Sequence, residues 1–206
     1  MAARRGLLVD FGGVLTSNVF ESFQAFCVAE GLAPGAVRDR FRADPAAQQL
    51  LFDLEEGRIS EEEFEPRFAE VLGVADPVGL IDRLFDGMRP DEEMVAAVAA
   101  ARRAGVRTGL LSNSWGKGRY DRSRFDELFD GTVISGEVGM RKPLPQIYAL
   151  AAEAIGLPPR ECVFVDDLPP NLKPAAQLGM ATVHHVTYDQ TIPQLEELLG
   201  VSLRSR

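Results

Sequence analysis

The stretch Gly6-Leu7-Leu8-Val9-Asp10-Phe11-Gly12-Gly13-Val14-Leu15-Thr16 decides the fold. Residues 6–11 form a short apolar run that ends on a carboxylate and two glycines. That is the pattern of a strand buried on both faces and stopped by a backbone turn. An aspartate at the tip of such a strand is costly to bury without a use, and glycines let backbone approach a ligand closely. A turn capped by Asp10 would also account for the motif taken alone, so the rest of the chain has to arbitrate.

Working outward, residues 106–111, 132–135, 162–165 and 181–186 read as further buried strands. Helical patterns lie between and after them. Residues 91–104 stop at Gly105; residues 145–155 open on a first-turn proline and stop at Gly156; residues 171–178 stop at Gly179; residues 191–199 stop at Gly200. Proline at the start and glycine just past the end are ordinary helix punctuation. Strands alternating with helices predict an α/β fold, an open parallel Rossmann-like sheet with helices on both faces and right-handed crossovers. Residues 17–88 break that rhythm, with helical spacing of Phe20, Phe23, Cys27 and Val28 and no convincing strand. Ser60 and Glu63 form a capping-box pattern, bracketed by Ile59 and Phe64 as a hydrophobic staple. Pro66 lies beyond the first turn of that helix and predicts a kink or a late start. The expected organisation is an α/β core of residues 1–16 and 89–206 with a helical cap, 17–88, inserted after the first strand. The cap leaves the carboxyl edge of that strand, where open α/β sheets bind ligands.

Composition narrows the partners. The 206 residues carry 22 Lys+Arg against 31 Asp+Glu, a net charge of −9. Such a surface argues against nucleic acid, whose phosphates select basic patches. The two cysteines, Cys27 and Cys162, sit in apolar segments and read as buried reduced thiols. No apolar run approaches the ~20 residues of a membrane helix. The basic start Met1-Ala2-Ala3-Arg4-Arg5 is followed by an apolar stretch that Asp10 breaks at once, unlike a signal peptide. A cytoplasmic protein with neither membrane nor nucleic-acid partner is expected.

Three other segments carry chemistry. Leu110-Leu111-Ser112-Asn113 offers a hydroxyl followed by a backbone N–H, a small anion cradle. Gly139-Met140-Arg141-Lys142-Pro143 places a lysine in a loop before a helix. Phe164-Val165-Asp166-Asp167 ends a strand on adjacent carboxylates, which repel unless a cation shares them, so Mg²⁺ is the natural guest. Each motif alone has a bland account as turn former, solvated cation or cap. All four in order, at the carboxyl side of successive α/β segments, are far more specific.

In this combination the chain resembles the haloacid dehalogenase superfamily, in the branch with a helical cap after the first motif, and within it the α-glucose-1-phosphatase-like sugar-phosphate phosphatases. The resemblance includes the cap stretch Leu54-Glu55-Glu56-Gly57-Arg58-Ile59-Ser60 and the run Gly139-Met140-Arg141-Lys142-Pro143. It implies a Mg²⁺-dependent phosphatase of a small phosphorylated metabolite, working through an aspartyl-phosphate. Asp10 would be the nucleophile. Ser112 and the Asn113 N–H would hold the phosphoryl oxygens, and Lys142 would neutralise charge between nucleophile and phosphate. Asp10, the Gly12 carbonyl, Asp166 and Asp167 would hold the metal, Asp167 directly or through water. The residue types suit this chemistry, because a carboxylate attacks phosphorus only when both charges are screened.

The chain departs from the phosphatase pattern at Gly12, where those enzymes usually carry a second aspartate as general acid and base. General acid help is commonly worth ~10²–10⁴-fold. Thr16, a cap residue or the substrate itself are the candidate replacements, and a glycine with positive φ at this place would resist any side chain. A 2-haloacid dehalogenase, attacking carbon without a metal, would share Asp10 and also lacks the second aspartate, but has no use for the Asp166-Asp167 pair. A binding protein that keeps the fold without turnover has only Gly12 in its favour. Of the remaining polar and aromatic residues, Trp115 is placed either to line a pocket mouth or to pack. His184-His185 alternate faces of a strand and read as packed or exposed rather than ligating. Glu61-Glu62-Glu63 and Arg102-Arg103 match the dipoles of a helix start and a helix end.

Overall fold

The computed structural model describes residues 3–116 and 120–204. Five strands, β1 (Gly6–Val9), β2 (Arg107–Ser112), β3 (Gly131–Ile134), β4 (Cys162–Asp166) and β5 (Ala181–His184), form one parallel sheet in the order β3-β2-β1-β4-β5. The chain steps outward from β1 to β3, then returns to the other side of β1 for β4 and β5. That reversal opens a crevice between the carboxyl ends of β1 and β4, the switch point at which such sheets bind ligands. Asp10 stands there, its N–H donating to the Val165 carbonyl at 2.9 Å.

Between β1 and β2 the chain makes α1 (Val19–Ala29), α2 (Ala36–Ala43), α3 (Pro45–Glu55), α4 (Glu61–Leu72) and α5 (Leu80–Phe85) before α6 (Glu92–Arg103). The later connections hold α7 (Phe125–Leu128), α8 (Ser135–Val138), α9 (Pro145–Ala154), α10 (Pro169–Gln177) and α11 (Tyr188–Leu199). Strand periodicity sorts them into two layers. Leu7 and Val9 pack in one buried cluster with Met94 and Val98 of α6 and Leu195 of α11. Leu8 faces the other way, into a cluster with Ile147 and Tyr148 of α9 and Ala175 of α10.

Helices α1–α5 bury a third cluster of their own, built on Phe23, Phe26, Leu54, Phe64, Phe68 and Leu84. The two chain segments joining them to the sheet run side by side. Thr16 bridges Pro90, the Ser17 N–H donates to the Arg89 carbonyl at 2.7 Å, and the Asp91 N–H donates to the Leu15 carbonyl at 2.9 Å. The five helices therefore attach through a narrow two-stranded neck beside Asp10.

Several boundaries differ from the sequence expectation, for local reasons. β1 stops at Val9 because the Asp10 carboxylate turns back to accept the Phe11 N–H at 2.7 Å. Ser135 opens α8 instead of closing β3, and β5 ends at His184, not Val186. α10 starts at Pro169, before Asn171, and α11 starts at Tyr188 on a Thr187 cap. α4 does not start late: Ser60 and Glu63 complete the capping box at 3.2 and 2.8 Å, and the helix runs through Pro66 to Leu72. Gly105, Gly156, Gly179 and Gly200 all take positive φ at their helix ends, as read. Cys27 and Cys162 are buried and free. Among the described residues no helix is long and apolar enough to cross a membrane.

Candidate active site

Lys142 organises the crevice. Only 1% exposed, its Nζ lies 2.8 Å from Asp10 Oδ1 and 2.7 Å from Asp166 Oδ2. Its loop is held by a reciprocal pair with Asn113, whose Oδ1 accepts the Lys142 N–H at 2.8 Å and whose Nδ2 donates to the Lys142 carbonyl at 3.1 Å. A side chain from the end of β2 thus fixes the lysine carried by the loop before α9. Burial works to lower the lysine pKa, but Asp10 and Asp166 together raise it, so the ammonium stays charged.

Asp166 is anchored on both oxygens. Oδ1 accepts the Leu168 N–H at 2.8 Å, and Asn171 Nδ2 reaches Oδ1 and Oδ2 at 3.0 and 3.1 Å. Asp10 receives both its contacts, from Phe11 N–H and Lys142, on Oδ1; among the described residues Oδ2 accepts none. Asp167 lies against the turn after β1, so close that a Cβ on Gly13 would stand 2.5 Å from its Oδ2. Gly13 has φ of +72°, while Gly12 is outside the left-handed region and a Cβ there would meet only Val19 Cγ2 at 2.9 Å. The backbone therefore demands glycine at position 13 and not at position 12.

The carboxylate oxygens of Asp10, Asp166 and Asp167 lie within 4.8 Å of one another. One lysine does not balance three acids at this range. Burial lifts Asp10 to about 8, against the pull of Lys142 and with Asp166 and Asp167 adding to the rise. Burial, then Asp166, lifts Asp167 to about 6. Carboxyls that hold protons this firmly sit in a site short of positive charge, and hard oxygen donors so grouped suit a divalent cation.

Ser112 is buried and its Oγ accepts from Tyr120 Oη at 2.9 Å. Burial pushes the tyrosine up to about 12, so it remains a donor. The helical insertion reaches the same place through the end of α3. Glu55, 6% exposed, lies 3.4 Å from both Asn113 Nδ2 and Arg141 Nη1, and its carbonyl accepts from Ser135 Oγ. Burial raises its carboxyl to about 7 despite Arg141 and Lys142. Arg141 in turn lies 3.3 Å over the Phe52 ring. Gly57 is required at this joint, since with φ of +69° a Cβ would stand 2.5 Å from the Gly136 carbonyl. Above the carboxylates lies a cavity of about 340 Å³ that Asp10, Ser112, Lys142 and Asp167 share with α1, α2 and α3.

Residues 5–179 match the family model described as haloacid dehalogenase-like hydrolase. The chain belongs to that family. This hydrolase is 33% identical over 131 residues to bifunctional epoxide hydrolase 2 of Sus scrofa, covering 60% of this chain and 24% of that protein. It is 30% identical over 116 residues to glyceraldehyde 3-phosphate phosphatase of Methanopyrus kandleri, covering 54% of this chain and 50% of that one. The chain thus spans half or less of these curated relatives. A HAD-like family hydrolase from Porphyromonas gingivalis superposes with TM-score 0.71 at 27% identity, over 96% of this chain and 98% of that one. A HAD family enzyme from Bacteroides thetaiotaomicron, solved as a magnesium complex, superposes with TM-score 0.63 at 25% identity, over 89% and 94%.

All seven residues singled out in the sequence, Asp10, Gly12, Ser112, Asn113, Lys142, Asp166 and Asp167, line this crevice or hold it together. Sequence reasoning missed Glu55, Tyr120, Arg141 and Asn171 as parts of the site. Asn171 was visible only as a helix start, and Glu55 only as a member of the cap stretch. Trp115 both lines the cavity and packs among Phe23, Phe41, Phe64 and Phe85, at ring separations of 5.2–6.0 Å. His184 Nε2 pairs with the Asp167 carbonyl at 3.0 Å, and buried His185 pairs through Nδ1 with Thr191 Oγ1 at 2.9 Å.

Proposed function

We propose that this hydrolase is a magnesium-dependent phosphomonoesterase acting through an aspartyl-phosphate on Asp10, with helices α1–α5 serving as a cap over the site. The observation that carries the reading is the Asp10 carboxylate, gripped by Lys142 at 2.8 Å within a three-carboxylate cluster at the cavity floor. A phosphatase among the relatives and a magnesium complex among the similar structures support it. Asp10, Asp167 and the Gly12 carbonyl would hold the ion; Asp166, for which the resemblance implied a direct metal contact, has both oxygens engaged and would instead anchor Lys142 and complete the acidic field. When bound, the ion supplies the screening that lets an anion approach a phosphate dianion.

A carboxylate oxygen of Asp10 attacks phosphorus, the bond from phosphorus to the ester oxygen breaks, and the departing alkoxide takes its proton from solvent water. Ser112 and the Asn113 N–H hold the phosphoryl oxygens, and Lys142 neutralises the charge shared with the nucleophile. Water then attacks the phosphoryl group, releasing inorganic phosphate and restoring the carboxylate. Gly12 has no proton to lend. The Thr16 hydroxyl is already committed, donating to the Ser17 carbonyl and accepting the Gly13 N–H, each at 3.1 Å. Esters whose alcohol departs without a proton are therefore the expected good substrates. A metal-free dehalogenase would leave the repulsion among the three carboxylates unused.

Phosphate release from p-nitrophenyl phosphate tests the reading. Chelator should abolish it and Mg²⁺ restore it. Asp10→Asn should lower kcat by at least about 10⁴-fold, as loss of a nucleophile does, while the fold stays intact, because the amide keeps the shape and its oxygen can still accept from the Phe11 N–H and Lys142. Full activity in chelator, or in the variant, would overturn it.

A further inference from the structure

We propose that the cap side of the cavity selects phosphate esters of apolar alcohols, aromatic or branched aliphatic, over polyhydroxylated ones such as sugars. The inference rests on the phosphomonoesterase reading of the same site. The cavity has two unlike halves. Its floor carries Asp10, Ser112, Asn113, Lys142, Asp167 and Asn171, with the Tyr120 hydroxyl on Ser112. Its walls and roof are Val19, Phe23, Phe41, Leu51, Phe85 and Trp115. None of those six offers a carboxylate, amide or hydroxyl, and the Trp115 indole N–H is their lone side-chain donor.

Two of the three charged groups the cap brings have partners of their own. Arg38 is paired with Asp39 at 3.2 Å. Glu55 is turned to Asn113 and Arg141. Arg42, exposed on α2, remains at the mouth, where a guanidinium attracts any phosphate ester regardless of its alcohol. The rim continues apolar: Phe20 is 41% and Leu168 37% exposed, and both border the cavity. Apart from Arg38 and Arg42 on α2 and Glu55 on α3, an apolar body thus meets apolar surface along the cap side of the cavity. A pyranose would have to strip water from several hydroxyls and find few partners, which a site built for hydroxyls avoids. Even a single added hydroxyl in an apolar pocket costs up to about a hundredfold in discrimination, so a gap of at least about tenfold is a modest expectation for a whole sugar.

The test compares 2-phenylethyl phosphate with glucose 6-phosphate at saturating Mg²⁺. Both release a primary alkoxide, so the missing acid at Gly12 penalises them alike. Acetyl phosphate, which has no bulky alcohol, reports whether the protein is a phosphatase at all. In parallel, methylene phosphonates of both esters are titrated against the emission of Trp115, the single tryptophan of the chain, which reports the cavity without turnover. The expected result is acetyl phosphate hydrolysis, kcat/KM at least tenfold higher for the phenylethyl ester, and tighter binding of its phosphonate. Acetyl phosphate hydrolysis with equal or better use of glucose 6-phosphate overturns the chamber inference and leaves the phosphatase reading standing. No hydrolysis of any ester overturns the phosphatase reading. The titration then judges the chamber by itself: tighter aryl phosphonate binding upholds it, equal or tighter sugar phosphonate binding overturns it. Phe20→Ser, at an exposed position that the fold tolerates, and Leu51→Gln should each lower the phenylethyl-to-glucose ratio at least threefold. An unchanged ratio in both overturns the assignment of these walls.

Discussion

The floor and the roof of the cavity are built on opposite principles. On the floor, Lys142, Asp166, Asn171 and Asn113 use most of their hydrogen-bonding capacity on one another, and each contact spans 24 residues or more except the Asp166–Asn171 pair. The roof is held by ring packing, with Trp115 of the sheet domain's loop set among phenylalanines of α1, α2, α4 and α5. Charged networks in low dielectric have few acceptable arrangements, so the floor holds atoms at chemical precision. Packed rings tolerate exchange of shape and volume, so the roof can change what it accepts without disturbing the floor. On the phosphatase reading proposed above, chemistry and selectivity would thereby be separated within one small cavity.

Breaking the floor should have the larger effect. Lys142→Met leaves Asp10 and Asp166 facing each other without their buried cation. Removing one partner of a buried ion pair costs about 3–5 kcal/mol, and a thermal melt should show a loss of that order together with near-complete loss of turnover. A melt within a degree or two of the parent would mean that the buried lysine contributes little to the stability of the fold.

The absent acid comes next. If nothing replaces it, acetyl and nitrophenyl phosphates should outpace a simple alkyl phosphate by roughly 10²–10⁴-fold. Gly12→Asp should narrow that gap, since the backbone there accepts a side chain and only the Val19 methyl has to move. Gly13→Ala is the control in the other direction. Its Cβ would strike Asp167 at positive φ, so it should destabilise by about 1–3 kcal/mol and weaken Mg²⁺ binding. Equal rates for alkyl and activated esters, measured with chemistry rate-limiting, would point to a donor from the cap.

A smaller effect concerns pH. Asp10 and Asp167 titrate near 8 and 6 in the folded protein, above the ordinary carboxylate value near 3.9. For a carboxyl raised by folding, the unfolded chain gives up its proton first. Metal-free stability should therefore fall as pH rises from about 4 through 8, and level off above. Mg²⁺ competes with those protons, so its affinity should rise between pH 6 and 8, by up to about tenfold per unit where one proton is displaced. Calorimetric titration at pH 6, 7 and 8 checks both the sign and the slope; affinity flat across this range would place the ion off Asp10.

Most of the fold is legible in the sequence alone, because its signals are local. Apolar runs ending in Asp10, Ser112 and Asp166, prolines and glycines at helix ends, and the Ser60–Glu63 capping box are each written within a few residues. Boundaries were less legible where one side chain redirects the backbone, as Asp10 does after Val9. The strand-end residues of the site were readable for the same local reason, since the carboxyl ends of parallel strands converge wherever the order reverses. Glu55 and Arg141 were not, because 86 residues separate them and only the docking of α3 on the loop before α9 makes them neighbours. Tyr120 was not either, because its contact with Ser112, eight residues away, follows no helix or strand period. The apolar roof is the clearest case. Phe23, Phe41 and Phe85 occupy core-facing positions on their own helices, and nothing in their spacing distinguishes a ring that fills a core from one that lines a cavity. Sequence patterning specifies which side of each element avoids water; how closely those sides meet, and therefore where space is left for a substrate, is a property of the packed tertiary structure alone.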